Sequence, residues 1–263
     1  MKENFAADWL TLREPVDHRS RPPEIVAQLN RLFSSSDRIQ VLDLGAGTGS
    51  NYRYLAPRLS APQNWLLYDH DATLLAKAAG ATPLNTVVGD LQALIKPAGN
   101  SLLTKADFIT ASALLDLVSA RWLSAIIQQI TEQRRPALFA LSYNGIIKSS
   151  LNHSTEAALA AAVNAHQRGN KGLGAALGPD ASHYCAELFR ASGYQVWQID
   201  SPWQLGPTEA DLQKSLIDGW LQAAGAAKPE QTPAFLQWQR DYLAQIDQQS
   251  LYVGHQDILA LPV

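Results

Sequence analysis

Three acids and three glycines stand at intervals suited to holding a small polar ligand. Val41–Gly49 reads VLDLGAGTG, so Asp43 is followed by Gly45, Gly47 and Gly49 at alternate positions. Glycines in such a loop let a ligand approach the backbone, where side chains would collide with it. Asp69 closes the apolar run WLLYD, and Asp90 follows another in VVGDL. A carboxylate at such a place can accept hydrogen bonds from a pair of hydroxyls or from an amino group. Asp71 is the competing acid in LLYDHD, but it precedes ATLLAKAA and reads as the N-cap of that helix.

Further polar groups suit acid–base work. ADFITASALLD puts Ser112 and Ala113 in a turn, with Asp116 and Ser119 just past it. Tyr143 and Asn144 follow the apolar ALFALS, and His153 and His166 lie in the polar segment beyond. Asp116, Tyr143 and His166 are the catalytic candidates. Against this, Asp116 could anchor a long helix and His166 could simply face solvent. His255 and Asp257 read as a structural pair or a bulge in the last strand. LREPVDHRS gathers Arg13, His18 and Arg19, either at a ligand or in a solvated loop between two helices.

These residues need elements to position them. FAADWLTL has helical spacing and Pro15 ends it; Pro22–Pro23 then open EIVAQLNRLF, whose apolar residues share one face. Apolar runs next alternate with helical stretches. The strands fall at Ile39–Leu44, Trp65–Asp69, Thr86–Gly89, Asp107–Ala111, Ala137–Leu141 and Tyr194–Ile199, with a last one in SLYVGHQDILALP. Between them lie helices at Asn51–Leu59, Ala72–Ala79, Leu114–Ile130 and Asp180–Ala191. Repeated strand and helix means parallel strands in a doubly wound α/β sheet. Residues 201–249 form a helical insertion, with a capping box at Thr208 and Asp211 and an N-cap at Thr232 before Pro233. A second insertion, 149–174, holds a helical run and GNKGLG.

The glycine spacing does not fit a dinucleotide fold, which wants a small third residue where Ser50 stands, nor a phosphate-binding Walker loop. The whole pattern resembles the class I S-adenosylmethionine-dependent methyltransferases over about residues 37–200. That resemblance implies a Rossmann-like, mostly parallel seven-stranded sheet with the last strand antiparallel, in one domain over residues 1–263. Residues 1–36 would be a helical lid, 37–200 the cofactor core and 250–263 the last strand. In the family the loop at Gly45, Ala46, Gly47 and Gly49 curls around the amino-acid part of S-adenosylmethionine. Asp43 would help hold its ammonium, Asp69 with His70 beside it the ribose, and Gly89, Asp90 and Leu91 the adenine. Ser112 and Ala113 would line the methyl path, and Arg13 or His18 would meet the carboxylate. No metal is expected.

The acceptor is bounded by exclusion. The turn Ser112–Asp116 is not the N/D-P-P-Y/F of DNA amino-methylation, and no Pro-Cys turn exists for carbon-5 chemistry. A net charge of −3 gives no general attraction to nucleic acid or to anionic membranes. A small-molecule acceptor remains, with Trp9, Trp122, Trp203, Trp220 and Trp238 either lining its pocket or filling the core. The alternatives are an RNA or protein methyltransferase, a non-catalytic S-adenosylmethionine-binding protein, or a nicotinamide oxidoreductase. Ser50 and Asp90 disfavour the last of these. The lone Cys185 allows no intramolecular disulfide and reads as a buried thiol in a helix. The first residues lack a secretory pattern and no run is long enough to span a bilayer, so a cytoplasmic monomer or homodimer is expected.

Overall fold

In the computed structural model, which describes residues 6–79, 84–96 and 100–263, two helices lead, α1 (Ala7–Ser20) and α2 (Pro23–Leu32). Alternation follows through β1 (Ile39–Leu44), α3 (Ser50–Leu55), β2 (Gln63–Asp69), α4 (Ala72–Ala79) and β3 (Asn85–Val88). It continues through α5 (Leu91–Leu94), α6 (Asn100–Lys105), β4 (Phe108–Ser112), α7 (Ala120–Glu132) and β5 (Ala137–Ser149). The rest comprises α8 (Glu156–Gln167), α9 (Ala181–Ala191), β6 (Tyr194–Asp200), β7 (Trp203–Leu205), α10 (Ala210–Ala227), α11 (Thr232–Leu243) and β8 (Leu251–Pro262).

The sheet runs β3-β2-β1-β4-β5-β8-β6, with β7 added on β8. Its first five strands are parallel, and β8 lies antiparallel between β5 and β6. The seven expected strands are thus present with the last reversed. The eighth, β7, falls inside the segment read as helical. Its three residues, buried-exposed-buried, are too few to show a period.

Strand β1 explains the layering. Leu42 and Leu44 join one hydrophobic cluster, with Trp122, Leu123, Ile126 and Ile127 of α7 and Phe189 of α9. Ile39 and Val41 join another, with Ile25 and Leu29 of α2, Leu55 of α3 and Leu75 of α4. Period two along a strand covered on both faces produces this split. A third cluster lies under α8, α10 and α11, where Trp203, Trp220, Phe235, Trp238 and Tyr242 are buried. Trp122 packs in the first cluster, and Trp9 is half-buried against Trp203. These tryptophans are core residues, not a pocket lining.

Several local expectations are corrected. Helix α1 does not end at Pro15 but runs through it to Ser20, with Phe5 lying outside the described residues. An interior proline costs about 3 kcal/mol. Contacts beyond it hold the second half in place. Arg13 pairs with Asp17 at 2.9 Å across the proline, and Trp203 Nε1 donates to Asp17 at 3.0 Å. LREPVDHRS is therefore helix, not a loop.

Strand β5 extends past Leu141 to Ser149 through two register shifts, so Tyr143 and Asn144 lie within it. The helix expected from Leu114 is broken: a 3-10 turn at Leu115–Leu117 precedes α7, whose N-cap is Ser119, accepting from Trp122 N at 3.3 Å. Asp116 is not that helix's anchor. Helix α3 stops at Leu55. Glu209, not Asp211, makes the cap before α10, by accepting from Gly206 N at 2.8 Å. Thr232 is the first residue of α11 and caps nothing with its side chain.

Candidate functional site

The strand order reverses direction between β1 and β4, and a cleft opens there at their carboxyl ends. Ligands bind open α/β sheets at such a switch point. Its floor is the glycine loop after β1, with Asp69, His70, Asp71 and Asp90 on one side and Ser112, Ala113 and Leu114 on the other. Leu10, Arg13 and Asp17 of α1 roof it, and Lys171, Gly172 and Leu173 close the far end.

The loop is pinned to β2. Gly45 N and Ala46 N both donate to Tyr68 O, at 2.8 and 3.1 Å. Gly47 has a positive φ of 53° and donates its N–H to Asp69 Oδ2 at 2.8 Å. Asp69 Oδ1 accepts from Asp71 N at 2.9 Å and lies 3.2 Å from His70 Nδ1. Oδ2 holds Gly47 N alone and so retains a second lone pair for a hydroxyl, while Oδ1 is shared between Asp71 N and His70. Asp71 caps α4 as expected, accepting from Thr73 N at 2.8 Å and Leu74 N at 3.1 Å. Asp90 caps α5 through Gln92 N at 2.9 Å and also lines the cleft.

Asp43 is the most informative acid. It is fully buried, and Oδ1 accepts from Asn51 Nδ2 at 2.8 Å. Its Oδ2 is buried without a hydrogen-bond partner. Burial pushes the carboxyl up to about 7, with Asp69 adding to the rise, against the Asn51 hydrogen bond and the Arg21 charge. An orphaned acceptor in a ligand cleft is an incomplete structure, because leaving it unmet costs about 1–3 kcal/mol. A cationic donor such as an ammonium would satisfy both its geometry and its charge. The residues present therefore fit S-adenosylmethionine: Asp43 for the ammonium, Asp69 for the ribose and Asp90 for the adenine.

Eleven of the fourteen expected cofactor residues line this cleft: Arg13, Asp43, Gly45, Ala46, Gly47, Asp69, His70, Asp90, Leu91, Ser112 and Ala113. Ala113 takes a positive φ of 52°, a strain of the kind found at ligand sites. Gly49 is not in the lining. It begins α3, where an added Cβ would stand 3.1 Å from that of Ala78. His18 lies one step back, with Nε2 at 3.0 Å from Ser50 O. Gly89 packs on Tyr68, whose hydroxyl donates to Asp90 O at 2.8 Å. A Cβ at position 89 would overlap that ring. Gly89→Ala is expected to cost about 1–3 kcal/mol in urea unfolding and to loosen the Asp90 side of the cleft.

The catalytic candidates stand outside the lining. Buried Asp116 lies close enough to Tyr143 to act on its charge. Burial and Asp116 raise the Tyr143 phenol far above its ordinary value, and its hydroxyl donates to Asn164 at 2.8 Å. His166 Nδ1 is 3.4 Å from Lys171 Nζ, which does line the cleft. His153 accepts from Thr155 N at 3.1 Å and pairs with Asp241 at 3.6 Å, outside the cleft. Sequence reasoning missed Leu10, Asp17, Asn51 and the Lys171–Leu173 wall. For Asn51 a signal existed, since a polar amide directly after a glycine loop is well placed to hold that loop.

His255 and Asp257 face different surroundings. His255 is buried against the rings of Trp203 at 4.9 Å and Tyr143 at 6.2 Å, and Nδ1 has no partner. Burial, aided by the Arg13 charge, pushes it down to about 3. Asp257 receives Arg21, Leu141 N and Ser201 Oγ. Cys185 is buried in α9 as expected, and burial raises its thiol. Among the described residues no helix is long and apolar enough to cross a membrane, and no group of three or more His, Cys, Asp or Glu could hold a metal ion.

No family model matches the sequence, and comparison with curated proteins finds no match. Solved structures do match. The YcgJ protein of Bacillus subtilis is 14% identical with a TM-score of 0.53, over 92% of this chain and 99% of its own. A SAM-dependent methyltransferase of Thiobacillus denitrificans, bound to S-adenosyl-L-homocysteine, is 15% identical with a TM-score of 0.47, over 99% and 100%. Another from Geobacter sulfurreducens, with the same ligand, is 16% identical with a TM-score of 0.45, over 98% and 99%. The likeness to YcgJ is one of fold.

Proposed function

We propose that this chain, which has the Rossmann-like fold of the class I methyltransferases, is an S-adenosylmethionine-dependent methyltransferase acting on a small-molecule acceptor. The observation carrying this reading is the unpartnered Asp43 Oδ2 at a cleft that also collects Asp69 and Asp90. When bound, the cofactor supplies an electrophilic methyl group on a sulfonium. In-line displacement then asks the protein mainly for alignment.

Asp43 takes the ammonium, the Gly45–Gly47 backbone follows the amino-acid part, and Asp69 with His70 takes the ribose. Asp90 and Leu91 would hold the adenine, and Ser112 and Ala113 would line the methyl-transfer path. Arg13 serves the carboxylate, while it remains paired with Asp17. The acceptor enters against Leu117, Lys171 and Leu173, which belong to the less patterned segments of the chain. Among the acid–base candidates, His166 stands 3.4 Å from a cleft-lining residue, Lys171. Tyr143, with its raised phenol, is not a base near neutrality. Residues 1–263 act as one domain in the cytoplasm, with the helical segment 1–36 as its lid.

Calorimetric titration with S-adenosylhomocysteine tests this reading, with NADH as the competing ligand. Micromolar binding of the first and none of the second is expected. Asp69→Ala should weaken it by about 1–3 kcal/mol, the loss from unpairing buried hydroxyl contacts. Tight NADH binding without S-adenosylhomocysteine binding would overturn the assignment.

A further inference from the structure

Arg21 follows the last residue of α1, and its side chain is only 3% exposed. Its Nε donates to Asp257 Oδ2 at 2.6 Å, and its guanidinium lies over the Tyr54 ring at 4.6 Å. The remaining contact points toward the cleft: Nη1 donates to Asn51 Oδ1 at 3.1 Å. Asn51 Nδ2 in turn donates to Asp43 Oδ1 at 2.8 Å and to Thr110 Oγ1 at 3.0 Å. An amide has one accepting and one donating end. With a guanidinium at the first, only the second can face Asp43.

We propose that Arg21 is a positioning residue for the cofactor acid, orienting Asn51 so that Asp43 keeps Oδ1 occupied and Oδ2 unpaired. Without Arg21 the Asn51 amide is free to turn over and would set its oxygen against the carboxylate. Arg21 also supplies the positive charge that favours an ionised Asp43, and only an ionised Asp43 pairs well with an ammonium. The lid, the cofactor loop and β8 thereby meet on one guanidinium. This role rests on the cofactor reading above for its ligand, but not for its geometry.

The charges around Asp43 are few enough to name. Arg21 and Asp69 act on it directly, and Asp257 balances Arg21 from the other side. Along the same cleft stand Arg13 and Asp17, paired with each other, then His70 and Asp71 after β2. Asp90 and Lys171 complete the set. None of them shares Arg21's link through Asn51.

The test uses the whole chain with aspartate labelled at the carboxyl carbon, followed by NMR from pH 4 to 10, with Asp43→Asn assigning the signal. Arg21→Gln alone would strand Asp257, so the working variant is Arg21→Gln with Asp257→Asn, which keeps a complementary pair of amides. Asn51→Leu breaks the same link from its other end. Either variant should raise the Asp43 midpoint by about one pH unit. Affinity for S-adenosylhomocysteine should then fall about fivefold at pH 7, as the ionised fraction falls, and recover by pH 9. An unmoved midpoint, or an affinity loss equal at pH 7 and pH 9, would overturn the positioning role. If the unaltered chain binds no S-adenosylhomocysteine, the functional reading fails, while the NMR midpoints still decide this one.

Discussion

Replacing Trp238 with alanine is expected to lower the free energy of unfolding by about 3–5 kcal/mol, the range for emptying a buried large aromatic site. Trp238 is fully buried in the cluster under α8, α10 and α11, and it stacks on Tyr242 with ring centroids 5.4 Å apart. The cluster draws its residues from α1, β5, α8, β7, α10, α11 and β8, so it can collapse only partly into the void. The size of the effect does not come from hydrogen bonding, because Trp238 Nε1 is buried without a partner. That orphan donor makes a second prediction sharp. Trp238→Phe loses some packing but also removes an unmet N–H worth about 1–3 kcal/mol, so it should cost under about 1.5 kcal/mol. Urea titrations at 25 °C would compare the two variants. A cost of Trp238→Phe well above that bound would mean that the indole N–H is not an unmet donor.

The second large effect is one that the unaltered protein hides. Asp43, at about 7 in the fold and 3.8 when unfolded, holds a native-state proton that the unfolded chain has released. Stability from this source is full at low pH and is lost as pH rises toward 7. His255 has the opposite sign. At about 3 in the fold against 6.5 unfolded, it stays neutral where the unfolded chain is charged. Its contribution is therefore present above pH 6.5 and is lost as pH falls toward 3. Over roughly pH 4 to 6.5 each slope approaches about 1.4 kcal/mol per pH unit, and they oppose each other. The intact protein should show a nearly flat profile there. Asp43→Asn should become more stable with rising pH across this window, and His255→Phe less stable. Thermal unfolding in a buffer series would read both. Flat profiles in the two variants would mean that neither group keeps its shifted ionisation in solution.

How much of this was legible in the sequence depends on how far each feature reaches along the chain. Strands β1, β2 and β4 were readable because they are mostly buried and so appear as apolar-rich runs, whereas β3, largely exposed, was readable from its place in the alternation. Asp43, Asp69 and Asp90 were readable because each sits at a strand end, and fold order alone brings strand ends together. The passage of α1 through Pro15 was not, since the proline's local signal is strong and the contacts outweighing it come from Trp203, far along the chain. Strand β7 and the bulged extension of β5 were missed for a related reason. Both owe their conformation to pairing with β8, near the other end of the sequence. The cleft wall at Lys171–Leu173 lies in a glycine-containing stretch without periodicity. The link from Arg21 through Asn51 to Asp43 joins three residues of ordinary type, and nothing in their spacing marks them as partners.

At position 257 the bulge in β5 has a consequence for which amino acid the fold can accept. Leu141 turns to a positive φ of 52°, and its N–H goes to the Asp257 side chain rather than to the sheet ladder. Ser201 Oγ reaches the same oxygen at 2.6 Å, and Arg21 takes the other. Each of the three groups hydrogen-bonded to that side chain is therefore a donor. Asparagine alone would turn an N–H toward a guanidinium, and leucine would leave three donors unmet. Glutamate would need room for another methylene in a close-packed interior. Donor parity and length together leave aspartate as the one residue that answers all three, unless Arg21 changes with it.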